Sequence, residues 1–196
     1  WEIADTTGKN MGLVLGKPLL ANVRNGSTTP AVVVANGPNS TNERAVLIVL
    51  DMNTGKVIRE IDTGEGSAAL PNGLYAPTGV YRADGKTLAY VYAGDLQGNV
   101  WKFDLSKNSA SDWIAIKLFT ATHGAKTQPI SSGVTVAIDP VTSKRWVFFG
   151  TGRFLTTDDA NGATTDVQTM YGFMEDDKKT LTRADLTGRT IITTGK

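Results

Sequence analysis

The stretch from Val91 to Leu105, VYAGDLQGNVWKFDL, limits the choice of fold more than any other part of this chain. A β-rich run, a turn of Asp, Leu, Gln, Gly and Asn, and a second aromatic run follow one another with no room for a helix between them. The Asp at the first turn position caps the turn through its side chain, and Gly or Asn supplies the positive φ that follows. The segment therefore reads as one hairpin of the kind repeated in propeller blades. In its second strand Val100 and Lys102 fall on one face and Trp101 and Phe103 on the other, which predicts that the aromatic pair packs toward a neighbouring blade.

The same order of elements recurs along the chain. Apolar, β-rich runs occupy residues 18–23, 31–35, 45–51, 56–61, 88–93, 99–104, 113–119, 133–138, 145–150 and 169–174, and no convincing amphipathic helix interrupts them. Between the runs lie Asn25-Gly26, DMNTG from Asp51, Asp84-Gly85, DLQGN from Asp95 and DPVTS from Asp139, each able to reverse the chain. Pro18, Pro77 and Pro129 open units about 50 to 60 residues apart, each running strand, turn, strand, small-residue step and a further hairpin. The expected fold is all-β, with β-propeller-like blades of antiparallel strands, about three to four blades of a larger modified propeller. Residues 1–196 form one partial propeller domain with repeat units at roughly 17–64, 75–121 and 127–186.

Charge and composition exclude several function classes. Lys and Arg total 20 against 19 Asp and Glu, so no electrostatic footprint for nucleic acid or an anionic membrane is present. No apolar run approaches the roughly 20 residues that span a bilayer as a helix. Cysteine is absent, which removes disulfides, thiolate metal sites and cysteine nucleophiles. Asn25-Gly-Ser and Asn39-Ser-Thr match glycosylation sequons, and both also read as turn chemistry.

A set of motifs in fixed order resembles the PilY/PilC family of type IV pilus tip-associated adhesins, in their C-terminal propeller. The set comprises WEI at Trp1, AVVVANGPNST at Ala31, VLDMNTGKVIREIDTG at Val49, NGLYAP at Asn72, YAGDLQGNVWKFDLS at Tyr92, QPIS at Gln128, FGTGRFL at Phe149 and QTMYGF at Gln168. The resemblance implies a secreted, non-enzymatic protein of the outer membrane, cell surface or pilus tip. It implies roles in pilus biogenesis by opposing retraction, in adhesion and in twitching, with minor pilins and host or abiotic surfaces as partners. The strand pattern by itself supports only a rigid β surface with variable loops. A quinoprotein-type propeller enzyme and a periplasmic outer-membrane assembly scaffold share that pattern and are the alternatives.

The family often carries an acidic calcium loop before the YAGD strand, and this chain departs from it. The segment reads VYRADGKTLAYVYAGD, leaving Asp84 as the single carboxylate beside Arg82, whereas Ca²⁺ takes about six to eight oxygens. A hairpin turn is the simpler reading of Asp84-Gly85, and no cofactor is expected. The second place where calcium could sit is the loop TTDDANGATTD, with Asp158, Asp159, Asn161 and Asp166, although its spacing only loosely imitates an EF-hand. A solvated polar loop is the simpler reading there too. Asp62 and Glu65 read as part of a linker. Gly150-Thr-Gly152 lacks the third glycine and the following helix of a dinucleotide turn. His123 is the sole histidine and is expected on an exposed loop, without a nucleophile-elbow serine. Trp1, Trp101, Trp113, Trp146, Tyr92, Phe103, Phe148 and Phe149 read mostly as core between blades.

Overall fold

In the computed structural model, strand succeeds strand as the turn chemistry requires; the described residues are 1–4, 9–160 and 166–190. The first sheet contains β1 (Leu19–Asn25), β2 (Ser27–Ala35), β3 (Val46–Asp51) and β4 (Val57–Asp62), hydrogen-bonded in that order and all antiparallel. The second contains β5 (Leu74–Tyr81), β6 (Leu88–Asp95), β7 (Asn99–Asp104) and β8 (Ile114–Thr120), again in chain order. A small hairpin of β9 (Thr122–His123) and β10 (Lys126–Thr127) leads to the third sheet, which contains β11 (Thr135–Ile138), β12 (Arg145–Gly150) and β13 (Met170–Met174). The last strand, β14 (Leu181–Thr182), leaves that sheet and adds to the second, pairing parallel with β8. All-β architecture and antiparallel blades are thus the observed fold.

Side-chain alternation explains how the sheets stack. In β6, Val91 and Ala93 point into a core shared with Val33, Leu47 and Val49 of the first sheet, whereas Tyr92 points into a core shared with Phe149, Tyr171 and Phe173 of the third. In β7, Trp101 and Phe103 face the first sheet and Val100 the third, so the aromatic pair packs on the neighbouring blade as its alternation predicts. The second sheet is therefore the middle layer. Strand β3, VLIVLD, is a continuous apolar run because both its faces are covered. Leu47 and Val49 enter the shared core, while Val46, Ile48 and Leu50 are packed by Ile3 and Met11 of the N-terminal segment.

Strand β5, which opens the Pro77 unit, shows no apolar run of its own in the sequence because Pro77 and Gly79 punctuate it, and it starts ahead of the proline, at Leu74. The structure accommodates the proline on the edge of the second sheet, at a register shift between Tyr75 and Thr78. Ala76 there has φ 21°. Three aromatics expected in the core are also placed differently. Trp1 is 61% exposed and lies over Gly55, and Trp146 stacks on Phe148 on the outer face of the third sheet, because the odd residues of β12 take the buried side.

Candidate functional site

The chemistry of this chain is concentrated at the joints between sheets. At the first joint Asn36 is fully buried and satisfied on both sides: its Nδ2 donates to the carbonyls of Asn10 and Arg44, each at 2.7 Å, and its Oδ1 accepts from the amides of Val46 and Leu74. One side chain thus ties the end of β2 to the start of β5. Asp95, the last residue of β6, is also fully buried. Its Oδ1 caps the turn by accepting from the amides of Gln97 and Asn99, at 2.9 and 2.8 Å. Its Oδ2 accepts from Asn72 Nδ2, Asn99 Nδ2 and Trp101 Nε1, at 3.0, 2.9 and 2.8 Å. Burial pushes the Asp95 carboxyl above its ordinary range, opposed by the donors of Trp101, Asn99 and Asn72.

The second joint is ionic. Lys102, 1% exposed on β7, reaches across to the third sheet, where its Nζ contacts both oxygens of Asp177 at 2.9 and 2.8 Å and lies 3.6 Å from Glu175. Glu175 also pairs with Arg145 of β12 and accepts from the Tyr92 hydroxyl at 2.6 Å. Arg145 Nε in turn donates to the Tyr92 oxygen at 3.0 Å. The Tyr90 ring receives both cations, Lys102 at 4.4 Å and Arg145 at 4.5 Å from its centroid. Desolvation, then the hydrogen bond to Glu175, drives the Tyr92 hydroxyl far above its ordinary value. Every group has an opposite charge or a donor, the condition under which buried ions are tolerated.

The residues singled out in the sequence are engaged separately. Asp84 stands at the tip between β5 and β6, accepting from the amides of Lys86 and Thr87 at 2.8 Å each. Those bonds, that of Thr87 foremost, hold its carboxyl down at about 2. Asp51 and Asp139 cap their hairpins in the same way. Asp159 accepts from the amides of Leu155 and Thr156 and from Arg153 Nε, which holds its carboxyl well below the usual range. Asp158 shares its 3-10 turn, Thr157–Ala160, and Asn161 lies outside the described residues. Asp166 pairs with Lys126 at 2.7 Å. Among the described residues no three His, Cys, Asp or Glu side chains come together as a metal site would require.

The remaining candidates are joints or surface. Glu65 pairs with Lys117 of β8, and Asp62 pairs with Arg44. His123 is exposed, with Nδ1 beside Arg183. Gly152 donates its amide to the Pro129 carbonyl at 2.6 Å and lies against Ile130 in a parallel bridge, and its φ of 133° is what calls for glycine there, since a Cβ would meet only the Gln168 side chain at 3.8 Å.

A family model described as the PilY1 beta-propeller domain matches residues 3–193. The chain belongs to the PilY1 propeller family. A type IV pilus biogenesis factor PilY1 homolog of Xylella fastidiosa is 37% identical over 179 residues, covering 89% of this chain and 14% of the relative. The type IV pilus biogenesis factor PilY1 of Pseudomonas aeruginosa strain PAO1 is 31% identical over 220 residues, covering 97% of this chain and 19% of the relative. The crystal structure of the Pseudomonas aeruginosa PilY1 C-terminal domain superposes with a TM-score of 0.80 at 31% identity, covering 92% of this chain and 40% of that one. The chain therefore spans less than a fifth of the length of these two PilY1 relatives. The PilY1 match agrees with the ordered motifs from Trp1 to Phe173. The joint residues, buried Asn36, Asn72 and Lys102 and partly buried Glu175, carry no sequence signal of their own, because their partners are distant in the chain.

Proposed function

We propose that this chain is a non-enzymatic propeller segment of a type IV pilus-associated protein, acting in pilus biogenesis by opposing retraction and in adhesion and twitching motility through protein contacts. The observation that carries the reading is the PilY1 family match over residues 3–193, joined to relatives named as type IV pilus biogenesis factors. The partners assigned are minor pilins and host or abiotic surfaces, and the location is the outer membrane, cell surface or pilus tip. The site geometry supports a scaffold: Asp84, Asp159 and Asp166 are turned to amides and cations of their own chain, and the buried ions join one sheet to the next. No catalytic group and no cofactor is assigned to this segment.

The test is genetic. Deleting the parent gene is expected to remove surface pili and twitching, and removing the retraction motor as well is expected to bring pili back. Unchanged piliation in the first strain refutes a biogenesis role, and bald cells in the second refute the opposition to retraction.

A further inference from the structure

Lys102 is the most deeply buried amine among the described ion pairs. It is 1% exposed, whereas the other paired lysines, Lys117, Lys126 and Lys179, each keep at least 27% of the side chain in solvent. Its cross-strand neighbours are Tyr92 on β6 and Ile116 on β8, and the Tyr90 ring lies with its centroid 4.4 Å from Nζ. These walls keep water from an amine that becomes a strong nucleophile once it gives up a proton, as buried lysines do readily.

Two carboxyl groups converge on this amine. Nζ contacts both oxygens of Asp177 at 2.9 and 2.8 Å. That places the carboxyl carbon about 3 Å from the nitrogen, the separation of a near-attack geometry. Glu175 Oε1 is 3.6 Å from the same Nζ. The turn that carries both acids is held in place, since the Glu175 amide donates to the Arg145 carbonyl and the Lys178 amide to Asp176 Oδ1. Arg145 and the Tyr92 hydroxyl orient the Glu175 carboxylate and keep it ready to accept a proton.

We propose that Lys102 and Asp177 react to form an intramolecular amide cross-link, an isopeptide bond, with Glu175 as the proton carrier. Glu175 takes one proton from the Lys102 ammonium. The freed lone pair on Nζ forms the N–C bond to the Asp177 carboxyl carbon, and one C–O bond breaks with its electron pair left on oxygen. That oxygen departs as water, with the proton held by Glu175 and a second proton from the nitrogen. An ammonium and a carboxylate thus give one amide and one water, and no oxidant, reductant or co-reactant is consumed. Fixed positioning offsets the unfavourable condensation, because effective molarities of well-oriented pairs reach about 10⁵–10⁸ M. Asp177 is half-exposed, so the ion pair is the state of newly folded protein and the amide accumulates with age. The reaction runs once per chain, and its product ties β7 covalently to the turn after β13, 75 residues away. It goes beyond the pilus reading and stands without it.

The test follows the full-length protein at intervals after purification, by denaturation, tryptic digestion and mass spectrometry. A joined pair of peptides is expected, one containing Lys102 and the other Asp177, lighter than their sum by one water and rising with time. Lys102→Arg, which keeps the charge but offers no amine, is expected to give none, and Glu175→Gln to slow the rise at least tenfold. Fragmentation of the joined pair locates the link and separates it from a succinimide at Asp84-Gly85, which loses water within a single peptide. Absence of the joined pair from wild type after a month at growth temperature would overturn the proposal, whatever the variants do. The same joined mass in Lys102→Arg would overturn the assignment of the amine, and an unchanged rate in Glu175→Gln the proton route.

Discussion

Replacing Asp95 with Ala removes the acceptor on which three buried side chains depend. Asn72, Asn99 and Trp101 are each at most 4% exposed, and all three donate to the Asp95 carboxylate. A buried donor left without a partner costs about 1–3 kcal/mol. Allowing for the buried charge that the substitution also removes, the expected destabilisation is about 3–5 kcal/mol. With a urea slope of about 2 kcal/mol/M, the midpoint falls by roughly 1.5–2.5 M. The pH dependence has a definite sign. Burial raises the folded-state pKa of Asp95 above the unfolded value of about 3.9, so in the window above that value the folded chain binds more protons than the unfolded one. Its contribution is therefore full below about pH 3.9 and declines as pH rises through the raised folded value. Urea titrations of wild type and variant at several pH values measure both quantities. Trp101→Phe provides a control, costing about 1 kcal/mol in wild type and little in the Asp95→Ala background, where the indole donor is already orphaned. A loss below about 1 kcal/mol, or strictly additive effects, would refute the reasoning.

Three further outcomes are expected. Lys102→Met, which keeps the aliphatic stem and deletes the charge, destabilises by about 2–3 kcal/mol in urea unfolding. Because half-exposed Asp177 regains water and Glu175 keeps Arg145, a loss of 5 kcal/mol would contradict this structure of the joint. Trp101→Ala costs about 3–5 kcal/mol as a large buried ring, and unchanged thermal stability would show that the indole does not fill the first joint. The amides of Lys86 and Thr87, followed by NMR, lose the Asp84 bond only as pH falls through about 2, because that lowered carboxyl contributes above its unfolded value; a transition near pH 4 would contradict the turn geometry.

Local chemistry was legible in the sequence and long-range chemistry was not. The turn aspartates at Asp51, Asp84, Asp95 and Asp139 follow from spacing alone, since each accepts amides within four residues of itself. Alternation likewise places Trp101 and Phe103 opposite Val100 and Lys102. What occupies the Lys102 side could not be read, because Asp177 is 75 residues away. Strand β5 was legible as the opening strand of the Pro77 unit but not its start at Leu74, because a bulged edge tolerates a proline that an inner strand would reject. Trp146 and Phe148 share the aromatic composition of core residues, but their register in β12 sends them outward.

The central claim is that this propeller segment belongs to a working pilus factor, and complementation tests it most directly. A strain lacking the parent gene is supplied either with the full-length protein or with a version lacking residues 1–196, and sheared surface pilin and twitching are measured. The account predicts that only the full-length protein restores both. Equal restoration by the shortened protein, secreted at the same level, would contradict it.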